Sequence, residues 1–235
     1  MPRLSLEEGE EIFLTNLQTI CIIFCMDIKD LFLSFEKRRK LGEKAKRKIA
    51  KKAMEFISPG DEIFLGAGTT VSFLGEELAK SEKHFMLKIW TNNLFLINLW
   101  LKKYERFFTE NFVGIAAGEI SKRNLSIVNV VVPFSRIDKA IIGTPGISMK
   151  GTTSDDMYTV QQMEFLIKKS KKVFILADSL KIGRECTYIT RTMRMIKLDI
   201  KKGKEYYLIT DSTGDTEKIK ILKKFEEIGM KVLSV

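Results

Sequence analysis

Five short segments of this 235-residue chain carry residue types suited to holding a small anion. Gly66-Ala67-Gly68-Thr69-Thr70 combines glycines, which let a ligand approach the backbone, with two hydroxyl donors. It lies where an apolar run gives way to a helical pattern, and a helix starting there offers unpaired N–H groups and a positive dipole end to a phosphate. Thr91-Asn92, Gly118, Gly143-Thr144 and Asp178-Ser179-Leu180-Lys181 follow short apolar runs in the same way. Lys150-Gly151 adds a cation beside a glycine. The first segment is neither a P-loop, which would close on Gly-Lys-Ser/Thr, nor the G-x-G-x-x-G dinucleotide fingerprint. Any strand-to-helix turn can carry Gly and Thr, so the weight rests on the repetition of one chemistry at five strand ends.

Other reactive residues form no set. His84 is the single histidine, and Cys186 carries no nucleophile signature. Cys21 and Cys25 share a helical face, but two thiols without further Cys or His do not make a zinc site. The reading is therefore a binding site with no metal, no cofactor and no catalytic residue.

The elements that must position these segments alternate. Glu62–Leu65 reads as a buried strand followed by a helix over Val71–Ala79. Met86–Trp90 is a strand and Leu94–Leu101 a helix, and Phe112–Ile115 is a third strand. Residues 124–137 are ambiguous. Lys139–Gly143 is a strand, and Asp155–Lys168 a helix with Thr153 or Ser154 as N-cap. Val173–Ala177 and Tyr206–Ile209 are strands, Asp215–Ile228 is a helix stopped by Gly229, and Lys231–Val235 closes as a strand. Short apolar strands alternating with helices predict an α/β domain with a mostly parallel sheet and flanking helices. In such a sheet, ligands bind beyond the carboxyl ends of the strands.

Composition narrows the classes further. Hydrophobic residues make up 45% and charged residues 30%, which excludes collagen and wholesale disorder, and three Cys exclude a disulfide scaffold. No run reaches the ~20 apolar residues of a membrane span. The best stretch, Ile12–Met26, is short and interrupted by Thr15, Asn16, Gln18 and Thr19. It also follows Glu7, Glu8, Glu10 and Glu11, where a signal peptide would be positive. The expectation is a cytoplasmic protein with reduced thiols.

The net charge is +10, and residues 36–52 hold ten Lys/Arg against two acids; this leaves +2 for the rest (10 minus 8). Leu41, Ala45, Ile49, Ala53 and Phe56 recur at helical spacing, so the segment reads as an amphipathic helix with a basic outer face. Lys44, Lys48, Lys51 and Lys52 could touch a phosphate backbone. Such contact would be weak, salt-sensitive and indifferent to base sequence. The chain divides into a short helical element over 1–35, with no helix-turn-helix pattern, and an α/β domain over 36–235 that carries the candidate binding segments.

In order, Phe35-Glu36-Lys37-Arg38, Gly60 to Thr70, Trp90-Thr91-Asn92, Ile141 to Thr153, Leu176 to Gly183 and Leu208-Ile209-Thr210-Asp211 resemble the C-terminal effector domain of DeoR-family transcription regulators. The resemblance implies a fold like that of ribose-5-phosphate isomerase and CoA transferases. It also implies a pocket for a phosphorylated sugar or related metabolite, a homo-oligomer and a role in transcription regulation. The family usually carries Asp where Gly66 stands and Ser where Leu180 stands. Its winged helix-turn-helix would need more chain than residues 1–35 provide. The alternative is an aldose–ketose isomerase of the same fold. That chemistry needs a carboxylate base, and Ile142-Gly143-Thr144-Pro145-Gly146 holds no acid. Glu119, Asp155, Asp156 and Asp178 are the other acids at hand.

Overall fold

The computed structural model describes residues 28–81, 86–121 and 125–235. His84, Cys21, Cys25 and most of the 1–35 element fall outside them.

Seven parallel strands form the central sheet: β1 (Glu62–Leu65), β2 (Lys88–Thr91), β3 (Phe112–Ile115), β6 (Ile137–Gly143), β9 (Ser170–Leu176), β11 (Glu205–Thr210) and β12 (Lys231–Ser234). Their order is β12-β11-β9-β6-β1-β2-β3. Helices α1 (Ile28–Lys40), α2 (Glu43–Met54), α3 (Thr69–Lys80), α4 (Leu94–Lys103), α5 (Glu105–Glu110), α6 (Met157–Lys169), α7 (Met193–Lys201) and α8 (Thr216–Glu227) complete the layers. The mostly parallel α/β architecture expected from the alternation is the observed one.

The strands read as continuous apolar runs because both faces are covered, with alternate residues going to opposite sides. Ile63, Leu65, Ile141, Phe174 and Ile209 pack on one side with Ile49 and Ala53 of α2 and Val71, Leu74 and Leu78 of α3. Phe64, Ile142, Val173, Ile175 and Leu208 pack on the other with Met163, Leu166 and Ile167 of α6, Ile196 of α7 and Phe225 of α8.

Two small antiparallel units decorate the sheet. β4 (Ala117–Ser121) pairs with β5 (Ser126–Val131), and β8 (Gly151–Ser154) is flanked by β7 (Gly146–Ser148) and β10 (Tyr188–Thr192). β5 resolves part of the stretch that the sequence left ambiguous.

Three sequence expectations change. The basic segment over 36–52 is two helices: Gly42, at φ 67°, takes a left-handed conformation that turns α1 into α2. α1 also runs across the boundary expected at residue 35. Ser154 ends β8, so Asp156 caps α6 instead, its carboxylate accepting from the Tyr158 N–H.

α1 is tied down by Arg39. Its Nε donates to Ser72 Oγ at 3.1 Å, its guanidinium pairs with Glu76, and its Cζ stands 3.9 Å from the centroid of the Phe73 ring.

Candidate functional site

The chain lays down β1, β2 and β3 toward one edge of the parallel sheet and β6, β9, β11 and β12 toward the other, so the strand order reverses between β1 and β6. A reversal of this kind opens a crevice at the carboxyl ends of the two strands. A cavity of about 550 Å³ occupies that position.

β1 delivers Gly66-Ala67-Gly68 into the first turn of α3, and β6 delivers Gly143-Thr144-Pro145 opposite it; all of these, with Thr69 and Thr70, line the cavity. Gly68, at φ 131° and ψ 154°, holds a conformation almost confined to glycine, and a side-chain carbon there would meet nothing within 4 Å. α3 begins without a side-chain cap, whereas Asn93, Asp156, Thr192 and Asp215 cap α4, α6, α7 and α8. Its first-turn N–H groups are therefore free for another acceptor.

Thr91 and Asn93 brace this turn from β2. Thr91 Oγ1 donates to the Leu65 carbonyl at 2.6 Å, and Asn93 Nδ2 donates to the carbonyls of Gly66 and Gly68 at 3.3 and 3.5 Å. The Gly66 N–H donates to the Ile141 carbonyl of β6 at 2.9 Å, so the donors that the turn can offer the cavity begin after it, toward the start of α3.

Several elements bring charge to the cavity. Asp178 and Lys181 follow β9, Arg38 and Lys46 come from α1 and α2, and Asp155, Asp156 and Arg184 stand before α6 and after Lys181. Lys46 is 3% exposed, and its Nζ donates to the Arg38 carbonyl at 2.6 Å. Burial lowers the pKa of its ammonium; Asp178 opposes that shift, while Lys181, Arg38 and Arg39 add to it. No ion pair is formed by Lys46 or Lys181 among the described residues. An anion entering here would meet the ammonium groups of Lys46 and Lys181 beside the uncapped start of α3, with Asp178 between the two lysines' elements and the Arg184–Asp155 pair at the rim.

Of the residues singled out in the sequence, Gly66, Ala67, Gly68, Thr69, Thr70, Gly143, Asp178 and Lys181 are thus brought together. Thr91 lies behind the turn, and Asn92 is buried between β5 and α6. Gly118 lies within the β4–β5 ribbon rather than at the end of β3, where a side-chain carbon would come 2.2 Å from the Val128 carbonyl. Lys150 is exposed and pairs with Glu185 at 2.5 Å, and Gly151 opens β8, 2.0 Å from the Arg191 carbonyl by the same measure. Both sit in the small three-stranded sheet, outside the cavity lining. Asp155 and Asp156 line the cavity, with Arg184 holding Asp155 at 3.0 Å, while Glu119 lies in β4 and accepts from Asn129. Lys44, Lys48 and Lys51 are exposed on α2, and Lys52 is half-buried and pairs with Glu55.

Sequence reasoning missed Arg38, Lys46, Ser126, Thr159 and Gln162 as lining residues. Lys46 carried a readable signal. It stands three, four and seven residues before Ile49, Ala50 and Ala53, in phase with the buried stripe of α2, so it is not part of the basic outer face.

Residues 42–202, more than half of the chain, match the DeoR C terminal sensor domain. The chain belongs to that family. A lactose phosphotransferase system repressor of Streptococcus mutans serotype c is 27% identical over 197 residues, which cover 83% of this chain and 73% of the repressor. A repressor of the same name from Staphylococcus aureus is 32% identical over 152 residues, covering 63% of this chain and 57% of that protein. The chain thus spans only somewhat over half the length of the staphylococcal relative. Among solved structures, ribose 5-phosphate isomerase A of Methanocaldococcus jannaschii superposes at a TM-score of 0.44 with 17% identity, over 60% of this chain and 54% of that one. Nothing about chemistry carries across at that level. No helix among the described residues is long and apolar enough to cross a membrane.

Proposed function

We propose that this DeoR-family sensor domain binds a phosphorylated sugar in the β1/β6 cavity and serves as the metabolite-reading part of a transcription regulator. The observation that carries the reading is the convergence of an uncapped helix start, a glycine turn and two cations, one of them buried, on one cavity. Backbone N–H groups and ammonium donors suit phosphate oxygens, which only accept. The volume suits a molecule larger than phosphate alone. The relatives' name, repressors of a lactose phosphotransferase system, supports a phosphorylated carbohydrate as the class.

A thermal-shift screen with pentose and hexose phosphates tests this. A ligand at one hundred times its Kd adds about 2.7 kcal/mol to the native state. For a domain of this size that raises Tm by roughly 5–10 °C. Absence of a shift with every phosphorylated sugar would remove the reading, and steady turnover of any of them would replace a sensor with an enzyme.

A further inference from the structure

Beside the phosphate-type turn, the cavity has a wall with different chemistry. Ser126 of β5 and Thr159 and Gln162 of α6 line it. Gln162 also borders a second cavity, of about 200 Å³, between α6 and β5. Behind it stands Asn92, 2% exposed. Asn92 Nδ2 donates to the Ile127 carbonyl at 2.9 Å and to Gln162 Oε1 at 3.0 Å. Asn92 Oδ1 and Gln162 Nε2, both buried, have no hydrogen-bond partner among the described residues.

The orientation of this amide pair is determined. Turning the Asn92 amide over would set its oxygen against the Ile127 carbonyl, acceptor facing acceptor. With Asn92 Nδ2 fixed, turning the Gln162 amide over would set donor against donor. The pair is therefore left with one unmet acceptor and one unmet donor, and each buried polar group without a partner carries its full desolvation penalty. A phosphate oxygen can only accept and an ammonium can only donate. A hydroxyl does both.

We infer that Gln162, oriented by Asn92, is a specificity-determining residue that reads a hydroxyl on the carbohydrate part of the ligand. The inference rests on the phosphorylated-sugar reading and deepens it. Gln162 is half-buried and lines the cavity, so its unmet N–H belongs to a side chain that a ligand there would touch. Thr159 Oγ1 donates to Asp156 Oδ2 at 2.7 Å, so its lone pairs remain to receive a second ligand hydroxyl.

Calorimetric titration separates the two claims. The probes are inorganic phosphate, pentose and hexose phosphates and their deoxy counterparts, added to the wild-type chain and to Gln162→Met and Gln162→Glu. A site built to hydrogen-bond a hydroxyl rejects the analogue that lacks it. The wild-type chain should prefer one sugar phosphate over one of its deoxy counterparts by about tenfold or more. Gln162→Met should cut that preference to about twofold and leave inorganic phosphate binding unchanged, which also shows the variant to be folded. Gln162→Glu keeps the oxygen that Asn92 donates to and offers the ligand hydroxyl an acceptor, so it should retain the preference while binding every phosphate less tightly. Full discrimination in Gln162→Met overturns the inference. So does a wild-type chain that binds inorganic phosphate but gains nothing from the attached sugar, an outcome that leaves the phosphate turn standing. A wild-type chain that binds neither overturns both claims.

Discussion

The two rims of the same sheet are built on opposite plans. At the amino ends of the strands, charge is matched to charge. Lys139 pairs with Asp61, Lys171 with Asp138 at 2.6 Å, and Lys88 with Glu62 at 3.0 Å. Glu205 takes Lys172 at 3.0 Å, Lys231 at 2.8 Å and the Tyr207 hydroxyl at 2.6 Å. At the carboxyl ends, the cavity is lined by glycines, hydroxyls, Asp178 and the cations Lys46 and Lys181, which form no ion pair among the described residues, and one ion pair, Arg184 with Asp155 at 3.0 Å, stands at its edge. One rim satisfies its polar groups internally and closes the sheet. The other keeps donors in reserve around a cavity. Polar groups that could have been paired and are not mark the side that answers to something outside the chain.

Four substitutions would break or sharpen that contrast. Gly68→Val places a branched side chain at φ 131°, where the cavity is open. It should abolish phosphate-ligand binding, a loss of about 100-fold or more, and cost about 1–2 kcal/mol in chemical denaturation. A folded variant that still binds would move the site elsewhere. Lys46→Met removes the buried ammonium. Affinity for phosphate ligands should fall by about 10–100-fold. Tm should hold or rise, since a buried charge is often replaced by a hydrophobe without loss. A clear drop in Tm would make Lys46 part of the frame.

On the opposite rim, Lys139→Met leaves Asp61 without its cation. We expect a stability loss of about 1–3 kcal/mol with titrated ligand affinity unchanged; an altered affinity would show that the rims are coupled. The smallest effect is at Glu205. Its hydrogen bonds from Lys231, then Tyr207 and Lys172, hold its carboxyl down to about 2, against an ordinary 4.5. The native state therefore binds that proton less readily than the unfolded chain. The stabilisation is present above pH 4.5 and is lost as pH falls toward 2. Glu205→Gln should cost under about 1 kcal/mol at pH 7, because the group is well solvated. Urea melts of variant and wild type should converge through that acid window, and a gap that stays constant with pH would count against the assignment.

The large sheet was legible because each strand–turn–helix unit passes from a continuous apolar run to a helical apolar period, as at Glu62 to Ala79. The turn after β1 was legible for the same reason, and those after β6 and β9 from the Gly143-Thr144 and Asp178-Ser179 that end their apolar runs. The small sheet was not. Gly151–Ser154 has no apolar pattern, because side-chain hydrogen bonds help fix it: Thr152 to Thr190 at 2.6 Å, and Thr144 Oγ1 to the Thr153 carbonyl at 3.1 Å. Lys46 was hidden by its company. Inside a run of ten cations its type suggested solvent, and only its helical phase with Ile49, Ala50 and Ala53 pointed inward. Gln162 sits in an amphipathic helix among ordinary polar residues, and only the fold brings Asn92 behind it. Sequence separation of 70 residues leaves no local trace of that pair.

The reversal of strand order between β1 and β6 also bears on how the molecule assembles. The β1–β2 seam joins Ile63 to Ile89, whereas the β1–β6 seam joins Ile63 to Lys139. The entropy of closing a loop grows with its length, and contacts distant in sequence form late. The cavity straddles the more distant seam, so it exists only once the two halves of the sheet have met. Binding competence in a refolding chain should therefore lag behind helix formation, with ligand acting as a clasp on the seam rather than as a seed for it.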